Sequence, residues 1–159
     1  MPGQVTVDLF PLTAEEVEFL KQLHDRAGRF LVIGMSAAAM QGADVGTKDI
    51  DLWFEHQFDE GLAESARSVG GIFIWRADPP TLGGRMLSRI DLVNHCHGLS
   101  DFGSEYDNAV DVDLEGIPLK LLPINRIIDS KKAANRPKDR AALPALRAAL
   151  KALKFIGER

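Results

Sequence analysis

Phe30-Leu31-Val32-Ile33-Gly34-Met35-Ser36, followed after a short gap by Asp49-Ile50-Asp51-Leu52-Trp53-Phe54, is the stretch whose reading decides the fold. A short apolar run, β-branched in part, predicts a buried strand that ends in a glycine turn. A strand running into a helix start leaves backbone N–H groups and the helix dipole free to favour phosphate. Gly34 lets a ligand approach the backbone closely, with Met35 in the same turn. Ser36 is read as the cap of a helix through Ala37, Ala38, Ala39 and Met40 that ends near Gly42, and as a hydroxyl for a phosphate oxygen.

In the second half, strand alternation puts Asp49, Asp51 and Trp53 on one face and Ile50, Leu52 and Phe54 on the other. Two neighbouring carboxylates repel unless a cation sits between them. A hard divalent cation, Mg2+ or Mn2+, takes one or two carboxylates and completes its shell with substrate phosphate. Two acids alone do not readily hold two metals and also orient a nucleophile, so a third carboxylate is expected on a neighbouring strand. Arg89-Ile90-Asp91-Leu92-Val93 repeats the acid-between-aliphatics pattern and makes Asp91 that candidate. An isolated acid-x-acid strand is more often an amphipathic strand with its polar side in water. Phosphate turn, paired acids and a third acid together favour a metal site that handles a nucleoside triphosphate (NTP).

Other residues are weighed against that site. Thr47 and Lys48 precede the acids on a polar loop and are read as close to substrate. Lys131, Lys132, Arg136 and Lys138 form the one local basic cluster, with Lys131 and Lys138 aimed toward the rim of the site and Asp139 placed to pair with a cation. A solvated helix end explains such a run equally well. His95 and His97 flank Cys96 without a further ligand at a zinc spacing, so they are read as polar lining and Cys96 as a small core residue. Trp53 is either a stacking surface for a base or a core residue.

Outward from this stretch the chain divides cleanly. Thr13 and Glu16 form a capping box, with Leu12 and Val17 at staple positions, ahead of a helix that stops near Gly28. A helix is predicted over Leu62 to Val69, closed by Gly70-Gly71, and strands over Ile72 to Trp75 and Arg85 to Val93. The turn formers of 78–84 make a loop between them. Val110 to Leu114 and Ile117 to Leu121 alternate about Glu115-Gly116, a hairpin whose Pro118 pushes its second strand toward a sheet edge. Pro123 opens one helix and Pro137 another that runs to about Phe155. Crossovers mixed with hairpins predict an α/β fold, a mixed β-sheet flanked by helices with further helices at the C-terminus.

Bulk properties bound the function. The chain has 159 residues, 45% of them apolar and 26% charged, which suits one domain with a real core. A net charge of -4 provides no global field for nucleic acid. A lone cysteine excludes an internal disulfide and fits a cytoplasmic location. Met1-Pro2-Gly3-Gln4-Val5 lacks a signal-peptide pattern, and no apolar run is long enough for a membrane span.

With those residues in view, the chain resembles the nucleotidyltransferase superfamily that includes DNA polymerase beta. The likeness is greatest to its small bacterial minimal-type members and abortive-infection toxin relatives. Their pattern is matched by Ile33-Gly34-Met35-Ser36, by Thr47-Lys48-Asp49-Ile50-Asp51-Leu52 and by Ile90-Asp91-Leu92. A supporting match covers Ile117 to Pro123 and the Lys131, Lys132, Arg136-Pro137-Lys138-Asp139 segment. The chain departs from the pattern at Met35, where relatives carry glycine or serine, and at Val45, where many carry arginine.

The resemblance implies a nucleotidyltransferase fold over 1–159, with a core of about 12–122 and a helical segment of about 123–159. It implies transfer of a nucleoside monophosphate (NMP) from an NTP such as ATP to a hydroxyl acceptor. Asp49, Asp51 and Asp91 would be the catalytic, metal-holding acids. Gly34, Met35, Ser36, Thr47, Lys48, Lys131 and Lys138 would bind nucleotide. The alternatives are a toxin that modifies tRNA or protein by the same chemistry and pairs with an antitoxin, or a non-catalytic nucleotide-binding relative.

Overall fold

The computed structural model describes residues 12–157, so the opening residues that lack a signal-peptide pattern lie outside the described part. The elements run α1 (Ala14–Arg26), β1 (Phe30–Ile33), α2 (Gly34–Met40), β2 (Ile50–Phe54), α3 (Glu60–Ser68), β3 (Ile72–Ile74) and β4 (Thr81–Gly83). A 3₁₀ turn (Arg85–Leu87) follows, then β5 (Ile90–Val93), α4 (Phe102–Asp107), β6 (Val110–Leu114), β7 (Ile117–Leu121), α5 (Ile124–Ala134) and α6 (Pro137–Gly157).

Five strands form a mixed sheet in the order β5-β2-β1-β7-β6, and β3 and β4 form a separate pair. The central β1 is apolar throughout and fully inside, as a strand covered on both faces must be. It runs antiparallel to β2, with Ile33 opposite Asp51, and parallel to β7 through Val32 and Leu121. β2 and β5 are parallel and in register from Ile50 opposite Ile90 to Trp53 opposite Val93. Phe19, Leu20, Leu23, Leu31, Ile50, Leu52, Leu121 and Ile124 are fully buried and weld α1, the sheet and α5 into one core. Among the described residues no helix is long and apolar enough to cross a membrane.

The capping box of α1 is present: the Thr13 hydroxyl accepts from Glu16 N, and Glu16 Oε1 accepts from Thr13 N. Glu16 is buried and also accepts from Arg89 Nε at 2.8 Å. One side chain thereby caps α1 and ties it to the segment that enters β5.

Several expectations are corrected. Ser36 does not cap α2: the helix starts at Gly34, Ile33 is the cap residue, and no side chain bonds to the cap. Helix α1 does end just before Gly28, at Arg26 with Ala27 extended, but the Gly28 N–H donates to Asp59 Oδ2 and not to the helix end. The strand expected over Arg85 to Val93 is a 3₁₀ turn followed by a short β5, because Gly84 enters with φ +112° and turns the chain before it can extend. The turn-rich 78–84 loop contains β4, which pairs with β3 through Ile72 opposite Gly83. Strand β7 lies inside the sheet, not at its edge. Pro118 faces Asp113 of β6, while β7 meets β1 at its far end, at Leu121. Helix α4 is an element beyond those predicted from the sequence, and Asp101 accepts from Ser104 N as its N-cap.

Candidate functional site

The sheet ends in a cleft where β1, β2 and β5 come together. The parallel register sets Asp51 beside Asp91, and residues paired across strands project on the same side. Asp49 precedes β2, and its charge acts on both of the other carboxyls. The three predicted acids therefore feel one another.

Asp51 is the most perturbed of them. Its carboxyl is pushed up to about 6, first by burial and then by the charges of Asp91 and Asp49; Lys131 and Lys138 partly offset this. Asp91 is raised in the same direction by burial and by Asp49. A carboxylate pair that resists ionisation gains most from a cation. The acids are nonetheless not a closed cage: among the described residues no three His, Cys, Asp or Glu side chains gather tightly enough to hold a metal by themselves. The oxygen donors of Asp51 and Asp91 fit a hard cation that draws its remaining ligands from phosphate and water.

The cleft has a volume of about 360 Å³ and is lined by Gly34, by Asp51 and, from a wall made by α5, α6 and the turn between them, by Lys131, Arg136 and Lys138; Asp49 and Asp91 are exposed and not part of its lining. Lys131 lies in the last turn of α5 and Lys138 in the first turn of α6, with Asn135 between them in the left-handed conformation. The two lysines share the cleft because the chain turns there, not because they share a helix face. Asp139 anchors this wall. Its buried carboxylate accepts from Arg136 Nε at 2.6 Å and from Arg136 N at 3.0 Å, and lies 3.3 Å from Lys131 Nζ. The Arg136 hydrogen bonds hold that carboxyl down at about 2.

The phosphate turn differs from expectation. Ser36 is fully buried, donating to Ile33 O at 2.9 Å and accepting from Asp51 N at 3.2 Å. Its hydroxyl stitches the turn to β2 and is not offered to a ligand. Met35 packs partly buried against the core, so neither side chain of this turn presents a polar group. Thr47 donates its hydroxyl to Asp49 O at 2.9 Å, shaping the entry to β2, and Lys48 is exposed. Trp53 is buried edge-on against Phe102 of α4 at 5.2 Å, so it serves the core and not a base.

His95 and His97 sit just past β5, exposed and with ring centroids 5.2 Å apart, and line the cleft with Asp51. Their loop is held against α5 because Gly98, at φ +70°, passes so near that a Cβ would stand 2.6 Å from that of Ala133. Cys96 is buried between them, its thiol pushed up to about 12 by burial and by Asp51. Arg136 was noted in the sequence only as part of a charge run. Its place in the cleft depends on the α5–α6 turn.

No protein-family model matches the chain, and no significant match was found among curated proteins or solved structures.

Proposed function

We propose that this chain is a metal-dependent nucleotidyltransferase with the nucleotidyltransferase fold, moving an NMP from an NTP to a hydroxyl acceptor. The observation that carries this reading is the in-register placement of Asp51 and Asp91 on parallel strands, with Asp51 lining a cleft that Lys131, Arg136 and Lys138 also line. Asp51 and Asp91, with the charge of Asp49 behind them, would hold Mg2+ or Mn2+. When bound, the cation would neutralise phosphate charge and lower the pKa of the attacking hydroxyl. Lys131 and Lys138 would take the outer phosphates from the facing wall, and Asp139 and Arg136 would keep that wall in place.

The acceptor oxygen attacks the α-phosphorus and its proton passes to the Asp91 carboxylate. The bond from the α-phosphorus to its bridging oxygen breaks and pyrophosphate leaves. Chemistry of this kind depends on positioning and fixed charge more than on a protein nucleophile.

The test is incubation with each α-labelled NTP, Mg2+ or Mn2+, and cell extract, with label followed into any macromolecule or metabolite. Wild-type protein should transfer label. Asp51→Asn and Asp91→Asn should each lower transfer by about two orders of magnitude or more while leaving the far-UV circular dichroism spectrum unchanged. Wild-type transfer by either variant would remove the acids from the chemistry.

A further inference from the structure

The chain carries a net charge of -4, but its charges are not evenly spread. Between Lys131 and Lys154 stand eight lysines and arginines against a single acid, Asp139. That acid is buried and already neutralised by Arg136 and Lys131. The compensating excess of acids lies in the rest of the sequence. A charge split of this kind creates a local positive field that the total conceals.

Helix α6 concentrates that field. Arg140, Arg147, Lys151 and Lys154 recur at spacings of 7, 4 and 3 residues and are all exposed. At about 100° per residue they fall within an arc of about 60°, and from first to last they span about 21 Å at 1.5 Å per residue. The inward face of α6 is a different one, built from Asp139, Ala142, Leu143, Leu146 and Leu150. Arg147, Lys151 and Lys154 have no ion-pair partner among the described residues, and Arg140 bonds only to Asn135. Helix α6 begins at the cleft, whose wall includes Arg136 and Lys138. A row of cations with no ion-pair partner among the described residues thus leads away from the cleft along one helix.

We propose that this stripe is the track for the phosphate backbone of a single-stranded polynucleotide whose terminal hydroxyl enters the cleft. The proposal rests on the nucleotidyltransferase reading, and it assigns the acceptor to the polynucleotide class, with RNA and DNA as the two sources. Solvated cations along one helix face, although Pro144 interrupts the helix between Arg140 and Arg147, complement a flexible polyanion and release its counterions on binding. An anionic membrane is the weaker match. Helix α6 exposes large apolar groups only in its last turn, at Leu153, Phe155 and Ile156, while the basic stripe runs well beyond them toward the cleft.

The experiment uses the full chain and fluorescein-labelled single-stranded RNA and DNA of one sequence, with anisotropy read between about 50 and 200 mM salt. Four phosphate contacts predict a slope of log K against log salt of about -3. The combined variant Arg147→Glu, Lys151→Glu and Lys154→Glu should bind at least about tenfold more weakly, with a slope near -1. The glutamine version of the same triple substitution should fall between them. Ultraviolet cross-linking of the wild-type complex should place the strand on α6. Asp51→Asn should abolish transfer but keep strand binding, which separates this proposal from the catalytic one. Binding of either strand with the stated slope supports the track. Equal binding by wild type and a folded triple variant overturns it. So does a wild type that ignores both strands, or one that sediments with phosphatidylserine vesicles instead.

Discussion

A Cβ added at Gly34 would lie 2.7 Å from Asp51 Oδ2, closer than real side chains pack. Gly34 also holds φ at +65°, in the left-handed region. The turn after β1 and the central acid of β2 thus occupy adjoining space, and only a residue without a side chain lets both keep their positions. The glycine read from the sequence as a place for phosphate to approach is, in the fold, first a place for a carboxylate to approach.

Gly34→Ala should therefore damage stability and site together. The left-handed backbone costs an alanine about 1–2 kcal/mol, before any displacement of Asp51. Urea unfolding should show that loss, and the transfer assay should show activity falling further than stability alone explains. Wild-type behaviour in both assays would refute the close approach.

The pH dependence of stability should carry the signature of Asp51. Its folded-state carboxyl, at about 6, lies above the ordinary 3.8, so ionisation opposes folding. Below the ordinary value both states are protonated and no penalty exists. It grows as pH rises through that value and is complete above about 6, on the order of 3 kcal/mol. Wild type should thus gain stability relative to Asp51→Asn as pH falls from 8 to 5, read from urea midpoints. Mg2+ should raise the wild-type midpoint more at pH 8 than at pH 5, and leave Asp51→Asn nearly unmoved. No difference between the two proteins across this range would contradict the charge coupling.

Asp139 should behave in the opposite sense. Arg136 hydrogen bonds depress its carboxyl to about 2, so its contribution is present above 3.8 and disappears as pH falls through the folded-state value. Asp139→Ala removes the carboxylate that accepts from Arg136 and pairs with Lys131 and should cost about 2 kcal/mol near neutral pH. The two proteins should converge in stability near pH 2. In the transfer assay this variant should raise the KM for NTP more than it lowers kcat, because Lys131 loses its anchor while the acids stay in place. An unchanged KM would show that Lys131 does not hold nucleotide.

Local pattern was enough for much of the molecule. The Thr13–Glu16 capping box, the β1–α2 junction at Gly34, the Asp49–Phe54 strand, the Glu115-Gly116 hairpin and a long last helix beginning at Pro137 were all legible. Each depends on residues within a few positions of one another, where backbone geometry and hydrophobic period act directly. Short elements among turn formers were not legible. β4 exists because β3 offers it a partner, and α4 rests on a cap and on Phe102 packing against Trp53.

The sequence by itself determined which residue types are available: paired acids, a third acid in a matching apolar frame, and a basic C-terminal segment. Tertiary structure alone decided that Asp91 stands level with Asp51, that Lys131 and Lys138 line one cleft from either side of a turn, and that the Ser36 hydroxyl faces inward. The reason is physical. Strand register and the folding back of α5 and α6 are set by burial over the whole core, a sum over distant residues that no local window contains.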